Sequence, residues 1–465
     1  MSKLLSASLA LALAAPFAAL AAPPSNTSSE IQGLRQEIEA LRAAYEARLQ
    51  AMEQRLLAAE RGAAVSAPVM AEAAPPQPAA APAPASAAGG ANAFNPAMSL
   101  ILSGGYTRTS QDPAGYHLSG FQLPAGAELG PGSRGFGLAE SELGLAANID
   151  PWLRGAANIS LHPDNTVSVE EAFVQTTALS HGLSLKAGRF FSGVGYLNSQ
   201  HAHTWDFVDN PLAYQVFLGT QYGDDGVQLH WLAPTDQYLE LGAELGRGRS
   251  FPGSDTGRNG AGMTALTAHT GGDIGDSHNW RAGLSVLTAQ ANDQSLTTMD
   301  AGGGSVINSA FTGNTRVWLL DGVWKWAPNG NATRTSFKLQ GEYLHSTRSG
   351  SLTYDPGNAN LSDAYRAEQS GWYLQGIYQF MPAWRVGLRT ERLNPGTPDY
   401  GLNAAAFANS GYQPSKNTLM LDFNPSEFSR VRLQLAQDKS REGLTDNQVF
   451  LQYQMSLGAH GAHSY

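Results

Sequence analysis

From Ala97 onward, apolar and polar side chains alternate with a period of two, segment after segment, and the connections between segments are alternately short and long, save that 163–165 and 440–447 are shorter than the other outer loops. The last segment shows the pattern. Val449, Leu451, Tyr453, Met455, Leu457 and Ala459 fall on one face of an extended chain, Phe450, Gln452, Gln454 and Ser456 fall on the other, and the chain ends on the aromatic Tyr465. A period of two belongs to a strand with one greasy and one wetter face. About sixteen such segments run from Ser99–Arg108 to Val449–Leu457, each near the ~9–11 residues that a tilted strand needs to cross a bilayer. Tight turns are expected at 150–151, 180–182, 234–236, 274–278, 328–333, 381–383 and 425–427, and long loops at 109–136, 192–224, 249–262, 290–314, 346–369 and 394–416. An isolated segment of this kind also suits the edge of a soluble sandwich, but a sandwich has no reason to alternate its loop lengths. The expected fold class is therefore all-β, a transmembrane antiparallel up-and-down barrel with both termini on the short-turn side.

Composition fits that class. The 465-residue chain carries a formal charge of −10 and no cysteine, its mean hydropathy is −0.25, and no run of ~18 apolar residues follows Leu20 to make a membrane helix. Barrels dilute their hydropathy because polar lumen residues alternate with lipid-facing ones. One face of the segments carries Leu229, Trp231, Leu241, Leu388, Leu421, Leu433 and Leu435. The other carries Glu140 and Glu142, and the expected pore-lining charges Lys186, Glu240, Glu244, Lys338, Glu342, Arg385, Arg389, Glu391, Arg430 and Arg432. Charge is costly toward lipid and cheap toward water, so this face should turn inward. Two readings stay open there, a transverse field across a pore and a structural ladder of ion pairs.

Four regions divide the chain: a secretory signal at 1–21, a stalk at 22–61, an Ala/Pro-rich spacer at 62–96 and the barrel at 97–465. The signal is Lys3, an apolar run to Leu20 and a cut before Ala22. In the stalk, Thr27-Ser-Ser-Glu30 has the form of a capping box. Ile31, Leu34, Ile38, Leu41, Tyr45, Leu49, Met52 and Leu56 then make a heptad seam with one four-residue stutter. A lone helix cannot bury such a stripe, so self-association is expected, as a homotrimer if the barrels are trimeric.

Loop 192–224 holds Tyr196, Leu197, Trp205, Phe207, Leu212, Tyr214 and Phe217, too apolar for a solvated loop, and should pack on the lumen wall as a constriction. His201, His203 and Asp206 within it, with His460 and His463 near the C-terminus, could offer imidazole and oxygen to a divalent ion such as Zn²⁺. Loop histidines more often serve as hydrogen-bonding groups. No nucleophile elbow or other ordered catalytic context is present, and the Gly-rich stretches lack a strand–helix setting for phosphate. Neither enzymatic activity, a required cofactor nor a nucleic-acid partner is expected.

At VEEAFVQ (169–175), LKAGRFFSGVGYLNSQH (185–201) and YGDDGVQLHW (222–231) the chain resembles trimeric porins of the phosphate-selective O/P type. Its stalk-plus-barrel order is similar to sucrose-porin-like and dicarboxylate-porin-like proteins. QHAHTWDFVD and the GAHGAH tail resemble proteins labelled zinc-regulated outer-membrane receptors. That label often adds TonB dependence. The 369 residues of the barrel region cannot supply both a plug and about 22 strands, so energised transport is set aside. The resemblance implies a barrel in the outer membrane of a Gram-negative cell with a periplasmic stalk. Its expected partners are outer-membrane lipid, copies of itself and a small polar or ionic solute that passes passively. The alternatives are a zinc-linked protein using the histidines above and a structural tether between envelope layers.

Overall fold

The computed structural model describes residues 96–458 apart from 128, 256, 258, 300–304 and 408–410; the signal, the stalk, all of the spacer except Pro96, and His460, His463 and Tyr465 lie outside the described residues. Sixteen strands form the wall. They are β1 (Ala97–Thr109), β2 (Ser141–Asn148), β3 (Leu153–Leu161), β4 (Val167–Thr176), β5 (Leu183–Phe191), β6 (Gly223–Leu232), β7 (Tyr238–Gly246) and β8 (Met263–Ile274). The wall continues with β9 (His278–Met299), β10 (Val306–Trp326), β11 (Ser336–Tyr354), β12 (Leu361–Met381), β13 (Trp384–Asn394), β14 (Ser415–Ser426), β15 (Ser429–Lys439) and β16 (Asp446–Gly458).

Each strand pairs antiparallel with its sequence neighbour, and β1 pairs with β16 from Ser99↔Gly458 to Thr109↔Gln448, which closes the sheet. The expected strand Gly137–Ile149 is interrupted at Ala139–Glu140. Its upper piece, Gly135–Leu138, pairs with β1 at Gly104–Thr107 and β2 pairs at Ala97–Ile101.

The alternation sorts as bilayer physics requires. Along β15, Leu433 and Leu435 are 39% and 41% exposed outward, while Arg432 and Gln434 are 1% and 0% exposed inward. The outer face of β10–β12 marks the membrane itself. Trp318, Tyr343 and Trp372 form an upper aromatic row, with Leu320 opposite Tyr343 and Tyr343 opposite Trp372. Trp324, Phe337, Tyr378 and Phe380 form a lower one, and aromatic belts settle at the two interfaces.

Above the upper row the outward residues become polar: Arg316, Asn314 and Thr312 on β10, Glu368 and Arg366 on β12. The stretches 290–314 and 346–369 are thus largely strand and not loop. β9 to β12 run 22, 21, 19 and 21 residues, roughly twice what a crossing needs. Their protruding ends bury Leu296, Ile307, Phe311, Leu352 and Tyr365 against Tyr400 and Phe407 of the loop after β13. An apolar cluster outside the membrane lets strands continue where lipid no longer selects them.

Leu388 lies on the lipid face at 63% exposure, between Gly376 and Leu419 of the neighbouring strands. Leu388→Arg should cost about 2–4 kcal/mol if that point is near mid-bilayer. Denaturant titration of folding into phospholipid vesicles measures it, and a loss of only a few tenths of a kcal/mol would contradict the assigned face.

Candidate functional site

The barrel interior is organised by the segment between β5 and β6, 192–222. Its two stems are tied together by Asn198, whose amide donates to the carbonyls of Ser192 and Tyr222 (both 2.8 Å) and accepts from the Tyr222 N–H (2.8 Å). From there the loop turns inward, because its apolar residues have a second apolar surface to meet. Pro211 caps a short helix, α1 (Leu212–Leu218), all of whose residues are buried, and Gly219 ends it at φ 62°. A left-handed end of this kind suits glycine. The helix packs with Leu319, Leu344, Tyr373 and Leu393 of the wall and with Leu118, Phe121 and Leu123 of the outer segment after β1. The inner face is therefore partly an apolar core and not wholly a wet lining.

Wall carboxylates take up the loop's free N–H and O–H groups. Glu342 accepts from the Tyr196 and Leu197 amides (3.1 Å each), Tyr214 Oη (2.8 Å) and Tyr373 Oη (2.6 Å). Gly195, at φ 68°, passes so close that a Cβ there would collide with Glu342 Oε2. Glu244 accepts from Ser192 Oγ (2.6 Å) and the Gly193 amide (2.8 Å). Glu391 accepts from the Leu212 amide at the start of α1 (2.6 Å), where the helix dipole favours negative charge.

Wall cations in turn hold the loop's acids. Asp206 meets Lys338 and Arg385; Asp209 meets Arg389 at 3.0 Å and Lys416 at 2.6 Å. Burial would push Asp206 up, but Lys338 and Arg385 outweigh it and hold the carboxyl well below the usual range. Burial likewise opposes, and Lys416 with Arg389 overcomes, the shift of Asp209 in the same direction. Asp422 binds Arg432 (2.7 and 3.0 Å) and Arg385 (2.5 Å) in a ladder across β13, β14 and β15. Arg432 and Arg430 also donate to the Trp205 and His203 carbonyls, at 3.0 Å each.

Every expected pore-lining residue faces inward, but they divide. Glu244, Glu342, Arg389, Glu391 and Arg432 are 1–3% exposed and lie beneath the loop, engaged with it or with one another, so they do not border water. Lys186, Glu240, Lys338, Arg385 and Arg430 remain partly accessible. Along β13–β15 the inward charges Arg385, Asp422 and Arg432 thus pair as a ladder.

His201 and His203 stack with ring centroids 5.7 Å apart and meet Glu142, Glu170 and Glu171. Burial would lower His201, yet its bonds to these glutamates raise it well above the ordinary imidazole value. Asp206 is not with them. The wall cations hold it elsewhere, which separates it from the expected metal donors.

Sequence reading missed α1, whose seven residues are too few to show a helical period, although Pro211 and Gly219 bracket it. It also missed a basic vestibule on the short-turn side of the loop. Arg154, Lys186, Arg281, Lys325, Lys338 and Arg385 all point there, with Lys325 directly opposite Lys338 and Arg281 over the Tyr196 ring at 5.3 Å. Like charges placed opposite each other destabilise a sheet, so this pairing has no structural benefit.

A closed wall with aromatic belts and an inward loop defines a transmembrane β-barrel. The chain belongs to the same family as an uncharacterized protein of Aquifex aeolicus (strain VF5), to which it is 32% identical over 400 residues covering 80% of each chain. No family model matches the sequence. Similar solved structures include a loop-deletion mutant of the Vibrio cholerae outer-membrane protein OmpT (10% identity, 78% of this chain and 100% of that one, TM-score 0.48). Another is an anion-selective porin from Comamonas acidovorans (11%, 78% and 99%, 0.48). A third is the outer-membrane channel DcaP of Acinetobacter baumannii (12%, 77% and 96%, 0.45).

Asp206→Asn with Asp209→Asn removes the loop carboxylates from Lys338, Arg385, Arg389 and Lys416, and breaking a buried ion pair costs about 3–5 kcal/mol. The double variant should unfold in detergent at lower temperature than the parent. Both carboxyls are depressed, so their contribution is fully present above the unfolded value of about 3.9 and is lost only as pH falls through the still lower folded values. Melting curves of the parent should thus show no loss from these groups between pH 7 and 5.

Proposed function

We propose that the protein is a passive channel in the outer membrane of a Gram-negative bacterium, with loop 192–222 as its constriction and small anionic or polar solutes as its cargo. The basic vestibule carries this reading. Among the described residues Arg154, Lys186, Arg281 and Lys325 make no salt bridge, while Lys338 and Arg385 share Asp206. The carboxylates nearby are engaged elsewhere: Glu240 by His230 at 3.2 Å, Glu171 by His201, Glu244 by Ser192, and Asp422 by Arg432 as well as Arg385. Positive side chains on a low-dielectric wall raise the local concentration of anions. The buried pairs beneath the loop set its position instead of meeting solute. A homotrimer held partly by the N-terminal stalk, with that stalk in the periplasm, completes the proposal.

Purified full-length protein in planar bilayers tests it. A stepwise conductance is expected, and under a KCl gradient the zero-current potential should favour chloride. Arg281→Glu with Lys325→Glu should reduce or reverse that preference while the protein still folds. Absence of conductance, or a preference for potassium unmoved by these changes, would overturn the reading.

A further inference from the structure

The two loop histidines end in a cluster that neither the apolar core nor the vestibule explains. His201 Nδ1 stands 3.2 Å from Glu142 Oε2 and 3.1 Å from Glu170 Oε2. Its Nε2 is 3.0 Å from Glu171 Oε2, and His203 Nδ1 is 3.0 Å from the same Glu142 oxygen. Donor atoms of Glu142, Glu170 and His201 all lie within 4.8 Å of one another. The side chains are 9–14% exposed.

The backbone makes a specific arrangement for this cluster. Regular pairing would send Glu170 and Glu171 to opposite faces of β4. Instead the register slips: Asn158 pairs with Glu171 and Ile159 with Val169, leaving Glu170 as an extra residue. A bulge of this kind re-aims a side chain, and here both glutamates reach the one imidazole of His201. The carboxyl of Glu140 adds a fourth acid against Glu170. Among the described residues no lysine or arginine makes a salt bridge with any of the four. The single Nδ1 of His201 faces two carboxylates at once. Ligands about 2.0 Å from a tetrahedral centre stand about 3.3 Å apart, close to the separations found.

We propose that Glu142, Glu170 and His201 form a binding site for a divalent transition-metal ion such as Zn²⁺, with His203 Nδ1 alongside, 3.0 Å from Glu142 Oε2. Mixed imidazole and carboxylate donors favour such an ion over Ca²⁺ or Mg²⁺, which take oxygen alone. Because Glu142 lies on β2, Glu170 on β4 and His201 on the loop, the ion would fasten the loop to the wall. Binding is independent of the channel reading and is measured without transport.

Calorimetry on detergent-purified full-length protein with ZnCl₂, and separately with CaCl₂, is the test. One Zn²⁺ per chain is expected, with no comparable calcium heat. His201→Asn and Glu142→Gln should each weaken binding about tenfold or more, while His460→Ala with His463→Ala leaves it unchanged. No zinc uptake, an affinity indifferent to His201→Asn and Glu142→Gln, or a loss confined to the tail variant would each overturn the site. Should either variant fail to fold, Co²⁺ added to the parent decides: a visible absorption band saturating at one equivalent supports the site, and its absence refutes it.

Discussion

An unpaired strand edge in the hydrocarbon of a bilayer would leave a row of N–H and C=O groups with nothing to bond, each at a cost of several kcal/mol. The register of β1 against β16 removes that edge, and the rest of the molecule depends on it. Closure fixes which side chains face inward. Once Leu433 and Leu435 face lipid, Arg432 and Gln434 must lie inside, and so the interior inherits a large set of charges that need partners. The loop after β5 supplies them.

Charge matching between wall and loop accounts for the order inside the barrel. Acids on the loop meet bases on β11, β13 and β14, and acids on β7, β11 and β13 meet amides and hydroxyls of the loop. Neither partner could be buried alone without a large desolvation penalty. Together they allow α1 to sit on an apolar patch in the middle of an otherwise charged cylinder. Where the loop ends, the compensation ends too, and the basic side chains of the vestibule stay partly open to water.

Much of this was legible in the chain. Lipid on one side and polar groups on the other force a period of two, so all sixteen strands and the short-to-long rhythm of the turns could be placed, β5 at its observed bounds. What escaped was whatever breaks that period or lies outside the bilayer. Glu170 is turned by a bulge that leaves no mark in the pattern of residue types. Helix α1 is shorter than two helical repeats. The upper halves of β9 to β12 carry polar residues outside and so read as loop, although an apolar inner face at Leu296, Phe311 and Leu352 keeps them extended. Arg389 and Glu391 could be assigned to the inside, but whether they meet water or Asp209 and α1 is a fact of tertiary packing.

The unequal strand lengths give the cylinder a slanted rim. On the β9–β12 flank the hairpins climb well past the upper aromatic row, whereas β3 and β4 are joined by only residues 162–166 at the same end. Two copies laid side by side along the low flank would touch almost wholly within the hydrocarbon layer, with only the short 162–166 connection to dehydrate at that rim. The same approach along the high flank would bring hydrated strand edges and turns together before the lipid-facing surfaces could meet.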